Sequence, residues 1–402
     1  MMPRLLVISP PCHEPVNRAV YRELAVRGIA VHLVVPKRHF VGGAWRDTRM
    51  VPAEGYELSH LDIRGRNLRL QRLVGLRSVV AGFAPSHVFV DADPASLLVL
   101  QAALAASGAR LSALTAENMA FDARARLGEA LSGGSLKGIV NVLAKTFMRV
   151  LSRTRLDRVF TLSDEGSRVV EASGLPATKL PLGFDPTLFF IQEPELRAQT
   201  RARLGLSAPT VAYFGRVVPE KGIHLLVDAL AQLKDLDWHF LLDRFSGTGS
   251  GYVSEIADRI GERGLADRMV FFEARHEDMP DYMNAADIVV LPSISTPKWK
   301  EQYGRVIQEA QACGCTVIGS DSGAIPETMD GQGTLFAEGD IDALAKLLRS
   351  RITKAGPRDS AAAASARKNR SIQRQADILE AYLQGEDPGD REGVARQTRN
   401  CA

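Results

Sequence analysis

Residues 299–327 read WKEQYGRVIQEAQACGCTVIGSDSGAIPE. Two glutamates, Glu301 and Glu309, lie eight positions apart with Gly304 between them. Eight residues is a little over two helical turns, so spacing alone does not put both acids on one face of a helix. The pattern makes sense when Glu301 lies on the loop before a helix and Glu309 lies inside it. Both carboxylates can then point toward a ligand at the helix N-terminus, where unpaired backbone N–H groups and the helix dipole favour an anion. The apolar run Thr316-Val317-Ile318-Gly319 follows as a strand, then a Ser-Gly loop. A sugar joined to a diphosphate suits such a place, because hydroxyls need acidic acceptors and phosphates need N–H donors.

On both sides of this segment, short apolar runs alternate with helical patterns. In the second half the patterning predicts strands at 210–214, 238–242, 269–272, 288–291 and 316–320, separated by helices at 222–233, 253–263, 279–285 and 304–312. In the first half it predicts strands at 5–9, 29–35, 87–91, 111–115 and 158–162, with helices at 17–27, 68–80, 95–106 and 135–153. Strands alternating with helices mean βαβ units and parallel sheets, so the fold class is α/β. Two such sheets in tandem imply a cleft, and ligands of open α/β sheets bind beyond the carboxyl ends of the strands. Residues 183–208 read as hinge and linker, and 361–384 as helical. Beyond Gly385 the chain is charged and Gly-rich with no apolar pattern, and disorder is expected there.

At 402 residues the chain has room for two domains with full cores. No run of about eighteen uncharged apolar residues occurs, so no spanning helix is expected. The N-terminal MMPRLLVISPP reads as a first buried strand and not as an export signal. Cys12, Cys313, Cys315 and Cys401 lack metal-ligand spacing, which suits a reduced, cytoplasmic protein. The net charge of +3 hides an asymmetry: residues 1–185 hold 24 Lys and Arg against 16 Asp and Glu, and the rest hold 26 against 31. The first half is the one expected to meet something acidic.

After the strand ending at Phe214 comes Gly215-Arg216-Val217-Val218-Pro219-Glu220-Lys221-Gly222. A glycine at a strand end lets the backbone approach a ligand closely. Arg216 and Lys221 then stand beside a helix N-terminus as a diphosphate clamp. The plainer reading is a solvated loop with two surface cations. Gly247-Thr248-Gly249-Ser250-Gly251 is weaker still; most Gly-Ser loops are only loops, and this one lacks the spacing of the dinucleotide fingerprint.

The order of the pieces raises the signal. A Gly-Arg…Lys-Gly loop, a Gly-x-Gly loop, Pro292-Ser293 after a strand and then the glutamate pair together resemble the retaining glycosyltransferases of family 4. Pro181-Leu182-Gly183-Phe184-Asp185 with Phe189, Met279-Pro280-Asp281-Tyr282…Ala286-Asp287 and Ser322-Gly323…Pro326-Glu327 extend the likeness over about 181–340, with Leu182 where the family usually has Asn. The string Trp-Lys-Glu-Gln-Tyr-Gly-Arg-Val…Glu-Ala is similar to a subgroup found in cell-surface polysaccharide assembly. The resemblance implies the GT-B fold: two Rossmann-like domains facing a central cleft, with a C-terminal helix crossing back to the N-terminal domain. It implies an acceptor-side domain at 1–185, a donor-binding domain at 186–365, the crossover helix at 366–386 and a disordered tail at 387–402.

By the same resemblance, Arg216 and Lys221 bind the donor diphosphate and stabilise the departing charge, with Gly215 beside them. Glu301 holds sugar hydroxyls with help from backbone N–H groups of Gln302, Tyr303 and Gly304. Glu309 accepts from ribose hydroxyls, and Ala274 and Arg275 flank the base. Glycosyl transfer leaves negative charge on the diphosphate, where fixed cations do most of the electrostatic work. Same-face attack with retention, no cofactor and no metal requirement are family expectations. Asp91-Ala92-Asp93 happens to spell a metal-site string, but it reads as a loop after the strand at 87–91.

The first half departs from the family pattern. Where a Gly-Gly loop often follows the first strand, this chain has Pro10-Pro11-Cys12-His13-Glu14-Pro15. His13 and Glu14 either touch the acceptor or form a surface pair. Leu114-Thr115-Ala116-Glu117-Asn118 stands where many members have a His-Asp pair. There Glu117 is a candidate base or hydroxyl ligand and Asn118 a candidate sugar contact. Arg64, Arg66, Arg69, Arg72 and Arg77 occur with no acid from 63 to 86. Lys137, Lys145, Arg149, Arg153 and Arg155 surround a stripe of Ile139, Val140, Leu143, Phe147 and Leu151. That is either a core-facing stripe with a solvated charged face or a basic amphipathic helix on an anionic bilayer.

These features together imply a cytoplasmic hexosyltransferase, either free or peripheral on the inner face of the membrane. Its donor is a UDP- or GDP-type sugar and its acceptor a glycan or lipid-linked. Two alternatives remain: transfer to a small soluble metabolite or natural product, and a non-catalytic nucleotide-sugar-binding relative. Nucleic acid is not an expected partner, because the cations are not interleaved with aromatics.

Overall fold

The computed structural model describes residues 2–41, 44–119, 123–243, 251–354 and 356–386. The chain divides into two compact units: Met1–Pro181 with the segment from Ile372 onward, and Leu182–Ser371.

The first unit is built on a seven-stranded, wholly parallel sheet. In spatial order its strands are Ala177–Lys179, Arg158–Thr161, Arg110–Thr115, His87–Asp91, Arg4–Ile8, Ala30–Pro36 and Glu57–Leu61. The central strands are continuous apolar runs because helices cover the sheet; Leu6, Val7, Ile8, Leu33, Val34 and Val90 are fully buried. From Arg4–Ile8 the chain winds one way through Ala30–Pro36 and then the other way from His87–Asp91. The reversal leaves a crevice where the loops after Ile8 and Asp91 meet. There Ser9 Oγ donates to Asp91 Oδ2 at 2.8 Å.

The second unit holds a six-stranded parallel sheet in the order Met269–Phe272, His239–Asp243, Thr210–Tyr213, Ile288–Leu291, Thr316–Ser320 and Thr334–Phe336. Trp238, Phe240, Ile223, Leu226 and Leu344 fill one side of its core. Its winding reverses between Thr210–Tyr213 and Ile288–Leu291, so the loops 214–222 and 292–304 flank this crevice.

One helical expectation is corrected and another refined. The stretch 68–80 is a 3-10 turn at Leu68–Leu70, a short strand at Arg72–Leu73 and a helix only from Leu76 to Phe83, because Gly75 takes a left-handed conformation at φ 85°. The stretch 361–384 is two helices, Ser360–Arg370 and Ile372–Gln384, parted by the extended Ser371. The first packs on the helix Arg305–Ala312 of the second unit. The second packs on the helix Ala19–Val26 of the first unit, where Arg27 reaches Asp377 at 2.7 Å and Glu380 at 3.0 Å. Tyr382 meets the ring of Phe160 edge-on. No helix among the described residues is long and apolar enough to cross a membrane.

Candidate functional site

The crevice of the second unit gathers the residues that the sequence singled out. Lys221 ends a 3-10 turn at Pro219–Lys221, and Glu301 lies on the loop before the helix Arg305–Ala312. Eighty positions apart in sequence, they meet at 2.5 Å between Nζ and Oε2. Glu301 is 5% exposed and also accepts from Ser293 Oγ at 2.9 Å. The Lys221 ammonium lies 5.1 Å from the ring centroid of Trp299.

Backbone approach makes this contact. Gly222 sits at φ 67°, and a Cβ there would fall 1.8 Å from the Pro292 carbonyl oxygen. Ile294 N donates to Glu220 O, so the two loops are laced together. Gly323 does the same on the other side of Glu301: a Cβ on it would lie 2.2 Å from the Glu301 carbonyl oxygen, and Ala324 N donates to that oxygen. Glycine at both positions lets three loops close on one carboxylate.

Gly215 adopts φ 138°, with the buried Tyr213 ring under it; Tyr213 OH donates to Arg216 O at 2.8 Å. That bond fixes the Arg216 backbone, while its side chain is exposed and has no ion-pair partner among the described residues. Tyr303 is 4% exposed. Its hydroxyl lies 3.0 Å from Leu182 O and 2.9 Å from Gln308 Oε1, and Thr328 Oγ1 donates to its carbonyl. Its ring is therefore structural, and only its backbone N–H is left for a ligand. Gln302 is half-buried, and Gly304, at φ 78°, caps the helix that bears Glu309.

Glu309 is 5% exposed and sits 3.4 Å from Arg305 Nε and 3.8 Å from His276 Nε2. Burial pushes its carboxyl up to about 7, with Arg305 pulling the other way. His276 is pushed down to about 4 by burial and then by Arg305, so it stays neutral. Ala274 is half-buried. Arg275 is exposed and pairs with Glu277 at 3.1 Å and Asp278 at 3.3 Å. Gly247–Ser250 lie outside the described residues.

The first unit treats its candidates differently. His13 is 8% exposed, its Nδ1 3.2 Å from Pro10 O and its ring 5.0 Å from that of His39. Burial lowers its pKa, against the opposing pull of the exposed Glu14 side chain 3.5 Å away. Asn118 is 2% exposed. Glu117 lies in a knot of charges: Lys145 Nζ at 2.9 Å, Arg149 at 3.6 Å and Arg69 at 3.9 Å. Asp93 lies beside it, 3.6 Å from Arg69. Burial, then Asp93, raises the Glu117 carboxyl, against the pull of Lys145. The string Asp91-Ala92-Asp93 splits, with Asp91 turned to Ser9 and Asp93 to this knot.

The stripe at 139–151 is also reassigned. Lys145 is buried, whereas Val140, Leu143 and Phe147 are exposed and Ile139 and Leu151 half-buried. Neither a core-facing apolar stripe nor a solvated Lys145 describes this helix.

Ser293 and Trp299 stand in the motif strings without a role assigned to them, and His276 stands in none. Ser293, two residues past a strand end, and Trp299, two before Glu301, carried a positional signal. His276 carried none, because its approach to Glu309 is made only by the fold.

Two parallel α/β sheets of this winding define the class: the fold is GT-B, as in Anabaena HepE in complex with UDP. That structure is 20% identical to this chain, covers 95% of it over 100% of its own length, and gives a TM-score of 0.68. Residues 197–369 match the family described as Glycosyl transferases group 1, so the second unit carries a glycosyltransferase group 1 domain. The chain is similar to the lipopolysaccharide core biosynthesis mannosyltransferase LpsB of Rhizobium meliloti, 31% identical over 57% of this chain and 66% of the relative. It is also 31% identical to a GDP-mannose-dependent alpha-(1-6)-phosphatidylinositol monomannoside mannosyltransferase of Mycolicibacterium smegmatis, over 50% of this chain and 54% of that one. The chain thus spans about half to two thirds of the length of these relatives.

Proposed function

We propose that this protein is a retaining glycosyltransferase of family 4 that moves a sugar from a nucleoside diphosphate sugar to a glycan or lipid-linked acceptor, without a metal. The observation that carries the reading is the Lys221–Glu301 pair, at the winding reversal of the sheet in the domain that matches the glycosyltransferase family. In the unliganded protein the pair neutralises itself. An arriving diphosphate competes for Lys221, with Arg216 as the second cation, and frees Glu301 to accept from sugar hydroxyls. Backbone N–H groups of Gln302, Tyr303 and Gly304 face the same donor, Glu309 takes the ribose hydroxyls, and Ala274 and Arg275 lie toward the base.

In the transfer, the bond between the anomeric carbon and the diphosphate oxygen breaks, and both electrons leave with the diphosphate. Arg216 and Lys221 meet that charge where it develops. The acceptor oxygen bonds to the anomeric carbon, and its proton passes to the departing phosphate. The relatives are named as lipopolysaccharide-core and phosphatidylinositol mannosyltransferases, which supports a sugar acceptor on a lipid and a mannose-type donor. A cytoplasmic place of action at the membrane's inner face is part of the same proposal.

The test is a thermal-shift screen against UDP- and GDP-sugars, since a ligand bound only by the folded state raises its melting temperature. One donor is expected to raise it, and Lys221→Ala and Glu309→Ala to abolish the rise. A donor whose binding and transfer ignore both substitutions refutes the site.

A further inference from the structure

The helix Leu136–Arg153 is folded inside out. Leu136, Val140, Leu143, Phe147 and Val150 recur at alternating steps of four and three, which makes one stripe about 21 Å long. They are 74%, 56%, 56%, 66% and 62% exposed. The inward face presents Lys145 and Arg149 to Glu117, together with Val142 and Ser152. Arg69 turns to the same carboxylate, and its neighbours Leu68 and Leu70 are exposed in their turn. Charges that would ordinarily face water thus hold the helix down, and apolar side chains that would ordinarily be buried face out. A contiguous apolar stripe of this size marks an interaction surface.

Charge decides the occupant. The helix has no Asp or Glu from 136 to 153, and the segment 63–86 has none either. Lys137, Arg153, Arg64, Arg66, Arg72 and Arg77 are all exposed. A second copy docked through the same stripe in a two-fold dimer would bring two basic rims together. An anionic lipid surface accepts both the stripe and the rim.

We propose that the helix Leu136–Arg153, with the turn at Leu68–Leu70, is a docking face for an anionic bilayer, and that Glu117 is the positioning residue that pins the helix with its apolar stripe outward. This builds on the reading of a lipid-linked acceptor, but binding to lipid needs no sugar donor and is measured apart from it.

The experiment floats the full chain with vesicles of phosphatidylcholine alone and of phosphatidylcholine with phosphatidylglycerol. Binding to the mixed vesicles is expected, weakening as salt rises. Phe147→Ser is expected to lower partitioning about tenfold or more, because a large apolar side chain no longer enters the lipid. Lys137→Glu and Arg153→Glu should each lower it about fivefold or more. All three positions are exposed, so circular dichroism and the donor-induced thermal shift should stay as in the parent. Equal binding to neutral vesicles, binding indifferent to Phe147→Ser, or a dimer in sedimentation that Phe147→Ser dissolves while vesicles are ignored would overturn the proposal. A chain that binds vesicles but shifts with no nucleotide sugar would sink the donor reading and leave this one standing.

Discussion

Glu309 offers a test in which the sign and size both follow from the structure. Its carboxyl is 5% exposed and pushed up from 4.5 to about 7. Because the folded-state value lies above the unfolded one, the stability that this group contributes is fully present below pH 4.5 and lost as pH rises through 7. The gap amounts to about 3 kcal/mol. Without ligand, Glu309→Gln should match the parent in acid and exceed it by up to about 3 kcal/mol near pH 8. Donor binding should run the other way. Ribose hydroxyls donating to a carboxylate favour its ionised form, so affinity should rise about tenfold between roughly pH 6 and pH 8 and level off above that. His276, held near 4, does not change charge in that window. Calorimetric titration with UDP- and GDP-sugars would measure the slope. Sugar esters are used because a free terminal phosphate itself titrates near pH 6. Glu309→Gln should bind more weakly and without the slope. The same slope in the variant, or affinity that falls with pH, would rule out Glu309 as the ribose ligand.

Other outcomes follow from the same contacts. Lys221→Ala removes the ion-pair partner of the buried Glu301 and should cost about 3 kcal/mol in urea denaturation, while Lys221→Ala with Glu301→Gln should recover part of that loss. Gly222→Ala combines a left-handed φ with a Cβ aimed at the Pro292 carbonyl, so a melting point well below that of the parent is expected together with loss of donor binding; an unchanged melting point would contradict the close approach. Glu117→Ala takes from the buried Lys145 its 2.9 Å carboxylate partner and should lower stability by about 3 kcal/mol in urea, an effect that a solvent-facing acceptor ligand would not produce.

The βαβ alternation was legible because strands of a parallel sheet, covered on both faces, must be near-continuous apolar runs such as Leu5–Ile8 and Ile288–Leu291. Glu301 before a helix and Glu309 within it were legible from Gly304 and the apolar spacing that follows. The break of the helix at 68–80 was not, because Gly75 can serve equally as a weak helix residue or as a left-handed start.

The fold class, the two sheets and the residue types on the loops at their carboxyl ends are written in the chain's local periodicity and composition. Long-range packing brings Lys221 to Glu301 across eighty residues, sets His276 3.8 Å from Glu309, and buries Lys145 while leaving Phe147 exposed. A helical pattern states that two faces differ; which one turns inward depends on what the rest of the chain brings to meet it. Here Glu117, twenty-eight positions before Lys145, was the partner that turned the charged face in.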